Sequence, residues 1–157
     1  EALLTVVDAD GGSGRREGAR SSLRSLHLPN CEMGANAAAA FGRLLSSLQC
    51  GLAELWLGDN PLTPGGVAAV ADALQHSRTI TKIWLDRTMM DDGAADGIAA
   101  ALGATDCSLS ELWLSGNALS NEAVLTIADA LHQNLAAEAP HGAKLRKLWM
   151  NDMDMEP

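Results

Sequence analysis

The chain has 157 residues, of which 47% are hydrophobic, with four tryptophans, one phenylalanine and no tyrosine. Its formal net charge of −9 disfavours a nucleic-acid partner, because affinity for phosphates comes largely from Lys and Arg side chains. No apolar run reaches 18 residues and no signal peptide is recognisable, so direct membrane insertion is not expected. With so few aromatic residues, the interior must consist of small and branched aliphatic side chains in a regular arrangement.

The first 22 residues are predicted to be the end of one repeat followed by a loop. EALLTVVDA at 1–9 aligns without gaps with EAVLTIADA at 122–130, which predicts a helix. The segment 10–22 is rich in Gly, Ser and Arg, so we expect a mobile loop. Such a loop could contact a partner, although a tolerated surface insertion is the better explanation on general grounds.

A six-residue core of the form L-x-x-L-x-L then occurs five times. The copies LRSLHL, LAELWL, ITKIWL, LSELWL and LRKLWM begin at residues 23, 52, 80, 109 and 145, so three of the four intervals are 28 or 29 residues. A second loop, 134–144, lengthens the last interval. We therefore predict a single domain over 1–157, with 1–22 ending a preceding repeat, repeats at 23–51, 52–79, 80–108 and 109–144, and a truncated repeat at 145–157.

Each core is followed by an asparagine-like position and then by a helix. The asparagine-like positions are Cys31, Asn60, Thr88, Asn117 and Met153. Thr63 followed by Pro64, Asp91 and Ser120 are predicted helix N-caps. The helices are predicted to run through VAAVADAL, AADGIAAAL and AVLTIADAL, with apolar residues three and four apart facing inward.

This combination of core, asparagine or cysteine position and helix resembles leucine-rich repeat proteins of the ribonuclease-inhibitor-like class. The resemblance implies an α/β fold, a right-handed solenoid with a parallel concave sheet of about five strands and helices on the convex side. The spacing of the elements also predicts a concave sheet, because neighbouring strands lie about 4.8 Å apart while neighbouring helices need roughly 8 to 10 Å. Thr88 and Met153 depart from the family pattern, so their turns are expected to be less regular.

The strand residues between the core leucines are predicted to face the concave surface. The fifth position of the core places every tryptophan on one row, and the third position alternates in charge, so neighbours should pair laterally. The edge after the strands is mixed and mildly acidic. The candidate partner-binding residues are His27, Trp56, Trp84, Trp113, Trp149, Glu54, Lys82, Glu111, Lys147, Asp59, Asp86 and Arg87.

The tryptophans are expected to stack on one another and also to form a binding surface, since Trp is enriched in binding hot spots. No catalytic, cofactor-binding or metal-binding motif is recognisable. Cys31, Cys50 and Cys107 have neither CxxC spacing nor matching histidines, so we expect reduced, buried thiols and a cytoplasmic or other reducing compartment.

The resulting hypothesis is a non-catalytic scaffold that binds a partner protein, within a larger protein or a multi-subunit assembly. The first and last residues align with helix segments, so the repeats are expected to continue or to be covered by a neighbouring chain, unless the chain was trimmed experimentally. Two alternatives stay open. One is a regulator resembling the Ran GTPase-activating proteins, acting through Arg87, Asn117 or Arg24. The other is the sensing region of a multidomain immune-type receptor.

Overall fold

The computed structural model describes residues 22–47, 50–104, 107–136 and 145–152. Strands and helices alternate along these residues. The strands are β1 (Ser25–His27), β2 (Glu54–Trp56), β3 (Lys82–Trp84), β4 (Glu111–Trp113) and β5 (Lys147–Trp149). The helices between them are α1 (Ala35–Leu45), α2 (Thr63–Leu74), α3 (Asp92–Gly103) and α4 (Asn121–Ala136).

The five strands form one open parallel sheet in chain order. Their register joins identical positions of the six-residue core, so that Ser25 pairs with Glu54, then with Lys82, Glu111 and Lys147 in succession. Each pair of parallel neighbours requires a crossover, which a helix provides. The predicted α/β fold, with its parallel sheet and its helices, is therefore confirmed.

The core lies between the sheet and the helices and is almost entirely aliphatic. The central strand residues Leu55, Ile83 and Leu112 are fully buried, as are Val67 and Val70 of α2. Burial decreases toward the first described repeat, where Leu23 is 38% exposed. The interior thus follows from the composition, since small and branched side chains fill the narrow layer that each repeat encloses.

Two of the three predicted helix caps are confirmed and one is wrong. The Asp91 carboxylate accepts a hydrogen bond from the Ala94 amide at 3.0 Å, and the Ser120 hydroxyl accepts one from the Ala123 amide at 3.3 Å. Thr63 instead is the first residue of α2, with φ of +67°, and the start of this helix has no side-chain cap. A capping side chain needs an extended backbone at its own residue, which Thr63 does not have.

The structure also corrects the expected thiol burial and one loop boundary. Cys50 and Cys107 are buried, but Cys31 is exposed. Cys31 follows β1, one of the two edge strands of the described sheet, and no described repeat packs against β1 on its open side. Helix α4 continues to Ala136, so it includes the first three residues of the predicted loop 134–144. The rest of that loop, residues 10–21, the helix predicted within 1–9 and Met153 lie outside the described residues.

Replacing Gly42 with Ala is expected to lower the free energy of unfolding by about 1 to 3 kcal/mol. A β-carbon at Gly42 would lie 2.7 Å from the carbonyl oxygen of Ala69, so α1 and α2 would have to separate. Gly65→Ala is the matched control, because a β-carbon there meets nothing within 4 Å, and it should be neutral or stabilising. Urea unfolding followed by circular dichroism measures both variants. Equal effects would show that the close approach of the two helices does not limit stability.

Candidate functional site

Five stacked rings form a continuous row across the sheet. This aromatic row consists of His27, Trp56, Trp84, Trp113 and Trp149. Successive ring centroids are 4.2, 3.9, 3.9 and 4.1 Å apart, with interplanar angles of 15°, 25°, 13° and 6°. The row exists because the parallel register places the fifth residue of every core beside its counterpart on the next strand. The predicted stacking of the tryptophans is confirmed, and the structure shows in addition that His27 stacks on Trp56 at one end of the row.

The rings are only partly covered by the rest of the chain. All four tryptophans are half-buried and His27 is exposed. The Ser25 hydroxyl lies 2.7 Å from Nε2 of His27, which orients the imidazole on the face of Trp56. Because each middle ring has a neighbour on both faces, the row presents mainly ring edges to the solvent. Position in the sequence predicted the row, but it could not indicate which part of each ring is accessible.

The indole N–H groups of the row lack partners within the described part of the chain. Nε1 of Trp56 is buried and makes no hydrogen bond. Nε1 of Trp84, Trp113 and Trp149 is neither buried nor hydrogen-bonded to a described residue. Sequence reasoning missed this feature, because the alternation pattern fixes the side of the sheet and not the direction of the indole nitrogen.

A charged row runs beside the aromatic row, at the third position of each core. Lys82 Nζ lies 2.9 Å from a Glu54 carboxylate oxygen, and Lys147 Nζ lies 3.4 Å from Glu111 Oε2. The hydrogen bond from Lys82 is the main cause that lowers the pKa of Glu54, and the same bond raises the pKa of Lys82. Lys147 Nζ also lies 5.8 Å from the ring centroid of Trp149. The charged row is thus paired within the chain.

The edge after the strands carries a third ion pair, between Arg87 and Asp59. Arg87 donates to both carboxylate oxygens of Asp59, with 2.8 Å between Nη2 and Oδ2, and this contact lowers the pKa of Asp59. Arg87 also lies across Gly116, where a β-carbon would come within 2.6 Å of its Cγ. The equivalent residue in each repeat has a left-handed backbone, with φ between 50° and 68°: Asn30, Asp59, Arg87, Gly116 and Asp152.

Asp86 supports the turn of the next repeat and does not project freely. Its Oδ1 accepts a hydrogen bond from the Ser115 amide at 2.8 Å. Burial raises the pKa of Asp86, and the hydrogen bond from Ser115 opposes that shift only in part. The Asp86 carboxylate therefore holds the backbone of the next repeat and does not pair with a described basic side chain there.

Asp86→Asn is expected to stabilise the fold at pH 7, with a gain that fades as the pH falls toward about 4. Because burial raises the folded-state pKa of Asp86, its protonated form is favoured in the fold, and that contribution is lost as pH rises through the raised pKa. Asn removes the charge and keeps an oxygen for Ser115. Asp59→Asn is the control of opposite sign, since the pKa of Asp59 is lowered. Urea midpoints measured between pH 4 and 7 test both, and a D86N variant less stable than the parent at pH 7 would contradict the argument.

The residues of the asparagine-like position hold neighbouring turns together. Oδ1 of Asn60 accepts from the amides of Cys31 and Met33, and its Nδ2 donates to the carbonyls of Leu28 and Leu57. Asn117, two repeats later, makes the corresponding bonds: it accepts from the amides of Thr88 and Met90 and donates to the carbonyls of Leu85 and Leu114. Thr88 donates to Leu85 of its own turn at 2.8 Å but does not bond to the preceding repeat. Thr88 therefore does not join two turns as the asparagines do, although the backbone of its turn is left-handed at Arg87 like that of the other repeats.

The three residues considered for a GTPase regulator all have partners in the fold. Arg24 donates to the carbonyl of Gly51 at 2.7 Å, Arg87 pairs with Asp59, and Asn117 is 2% exposed. These contacts stabilise the fold, and none of them positions Arg24, Arg87 or Asn117 for catalysis. Within the described residues, no group of three or more His, Cys, Asp or Glu side chains could hold a metal ion, and no helix is long and apolar enough to cross a membrane.

Part of a known protein is similar in sequence to this chain. No family model matches the chain. The chain is 31% identical, over 134 residues, to the NACHT, LRR and PYD domains-containing protein 12 of Mus musculus. The matched region covers 85% of this chain and spans only 12% of the length of that protein. The parallel α/β repeats and this match together indicate that the chain is related to leucine-rich repeat proteins.

Proposed function

We propose that this chain is a non-catalytic interaction module that holds a partner protein against its aromatic row, within a larger protein or a multi-subunit assembly. The observation that carries the proposal is the unbroken row of five stacked rings on an open sheet. A row of this kind is a costly surface to leave in water, and tryptophan is prominent among residues that dominate binding energies.

The rigidity of the row favours binding as well as folding. Each middle ring is fixed between two others, so little rotamer freedom is left to lose when a partner docks. The flanking pairs Glu54–Lys82 and Glu111–Lys147 hold the strands in lateral register. The proposed surface comprises the aromatic row, these two pairs and the Asp59–Arg87 pair. Asp86 supports this surface indirectly, because its carboxylate accepts a hydrogen bond from the Ser115 amide in the next turn.

We further infer that the repeats are of the ribonuclease-inhibitor-like class. Three of the four core intervals are 28 or 29 residues, and a helix follows each of the first four strands. The asparagine-like position acts in Asn60 and Asn117 by joining the turns of adjacent repeats. The regular length and composition of the repeat unit therefore support this class. The similarity to the mouse protein does not by itself identify the class of repeat.

The test is loss of partner binding when rings are removed from the centre of the row. Proteins captured on the immobilised chain are identified by mass spectrometry, and the recombinant partner is then titrated against the Trp84→Ala/Trp113→Ala variant. We expect binding to be abolished. Retained affinity in a variant whose circular dichroism spectrum is unchanged would reject the proposal.

A control variant and a second row variant separate binding from folding. Leu125 is 63% exposed on α4, so Leu125→Ala should leave partner affinity unchanged. If the double alanine variant does not fold, the Trp84→Phe/Trp113→Phe variant is used instead. Its phenylalanine rings can still stack in the row but present smaller ring edges to a partner. That variant should weaken binding at least about tenfold, in line with hot-spot energies. Unchanged affinity of the folded phenylalanine variant would count against the row.

A second candidate is the repeat region of a multidomain immune-type receptor, where repeats sense a ligand and restrain other domains. The observation in its favour is the similarity to a protein named for NACHT, LRR and PYD domains. The matched 12% of that protein leaves the remaining domains without a counterpart in this chain. Sequencing full-length transcripts tests this candidate, because a nucleotide-binding module with a P-loop should accompany the repeats.

A further inference from the structure

The faces of the tryptophan rings are already occupied. Trp56, Trp84 and Trp113 each stack on two neighbours at 3.9 to 4.2 Å. At the end of the described row, Lys147 Nζ lies over the ring of Trp149. An aromatic ring is negative on its faces and positive at its edge, and a cation binds over the face. The row therefore offers a partner an array of electropositive edges and little room for a lysine or arginine over a face.

The same edges carry hydrogen-bond donors without acceptors. The N–H groups of Trp84, Trp113 and Trp149 are not buried and have no partner among the described residues, and that of Trp56 is buried without one. An indole nitrogen is a donor only. A partner that covers the row must supply acceptors to the three accessible groups, because covering them unpaired would cost free energy.

The charges beside the row are balanced within the chain. Glu54 pairs with Lys82, Glu111 with Lys147 and Asp59 with Arg87. A strongly basic partner would have to compete with these lysines and this arginine for the carboxylates. A strongly acidic partner would meet a chain with a formal net charge of −9. Neither sign of charge is complementary to this surface.

We propose that the aromatic row recognises an uncharged, aromatic-rich segment of its partner protein, which presents ring faces to the indole edges and carbonyl oxygens to the indole N–H groups. This inference rests on the proposed function and specifies the chemistry of the partner. Edge-to-face contact is the arrangement in which the partner's negative ring faces meet the positive edges. Backbone carbonyls or side-chain amides of the same segment then satisfy the donors of Trp84, Trp113 and Trp149.

The experiment is selection of a phage-displayed random peptide library on the chain, followed by affinity measurement of the enriched peptides at low and high salt. We expect the enriched peptides to contain several aromatic residues, few lysines or arginines, and affinities that change less than about twofold between 50 and 500 mM salt, as for uncharged contacts. Each peptide is also measured against Trp84→Ala/Trp113→Ala and Leu125→Ala. The first variant should lose binding and the second should keep it.

The outcomes distinguish this inference from the proposed function. Row-dependent peptides rich in lysine and arginine, with steep salt dependence, would leave the proposed function standing and overturn the inference. Peptides that bind the row variant as tightly as the parent would instead count against the row as a binding surface, and both proposals would fail. Both proposals would also fail if the library yielded no more binding peptides on the parent chain than on the row variant.

An isosteric replacement tests the donors without disturbing the stack. Benzothienylalanine at positions 84 and 113 replaces each N–H with sulfur and retains the two fused rings. Loss of two hydrogen bonds should weaken an enriched peptide by about tenfold or more. In the parent, nitrogen-15 spectra should show the Trp84 and Trp113 indole N–H signals shifting on peptide addition. Unchanged affinity of the sulfur variant, with unmoved indole signals, would overturn the role of the donors.

Discussion

Asn117→Ala is expected to lower the free energy of unfolding by about 3 to 5 kcal/mol, because it leaves several buried backbone groups without partners. The Asn117 carboxamide accepts from the amides of Thr88 and Met90 and donates to the carbonyls of Leu85 and Leu114, with distances of 2.8 to 3.1 Å. The side chain is 2% exposed, so water cannot readily replace it. Urea unfolding monitored by circular dichroism gives the value.

The control for this prediction is Asn151→Ala. Asn151 is an exposed amide at the end of β5, where its backbone amide, and not its side chain, donates to Ser115. The control should change stability by less than about 0.5 kcal/mol, as exposed substitutions usually do. Asn117→Ala with as small an effect as Asn151→Ala would mean that the turns between adjacent repeats do not depend on the buried amide.

Trp84→Ala is expected to lower the free energy of unfolding by about 2 to 4 kcal/mol, an effect that combines lost burial with lost stacking. Trp84 stacks at 3.9 Å on both Trp56 and Trp113, so its removal interrupts the row at the centre of the sheet. Tryptophan fluorescence should also change, since the two remaining neighbours lose one stacked face each. Urea unfolding followed by circular dichroism measures stability independently of that signal.

Trp149→Ala is the matched comparison, because Trp149 stacks on Trp113 alone among the described rings. Its removal should cost about half as much as that of Trp84. Equal costs at the two positions would indicate that burial against the sheet, and not ring-on-ring contact, determines the contribution of the row to stability.

Much of the fold could be predicted because one spacing controls it. The L-x-x-L-x-L cores gave the strand positions, the sheet order and the burial of Leu55, Ile83 and Leu112, since strict alternation places those residues on one side. Asp91 and Ser120 cap their helices as local sequence predicts. Thr63 does not, because its backbone conformation depends on the turn before it. The exposure of Cys31 depends on which repeat packs beside β1, and a residue's own sequence does not contain that information.

The candidate site was predictable in its rows and not in its contacts. Identical positions on successive strands had to be neighbours, so stacking of the tryptophans and pairing along the third position followed from register. Pairing of Arg87 with Asp59, and the use of Asp86 to hold Ser115, depend on loop backbone angles that the repeat pattern does not fix. Whether the twelve predicted residues bind a partner stays a prediction.

The distances within the aromatic row have a mechanical consequence. The ring centroids are 3.9 to 4.2 Å apart, closer than the spacing of about 4.8 Å between neighbouring strand backbones. Rings closer together than the strands that carry them lie on the inner side of a bend. Flattening the sheet would pull every ring away from its neighbours at once. The stacking contacts between the rings therefore oppose flattening of the sheet.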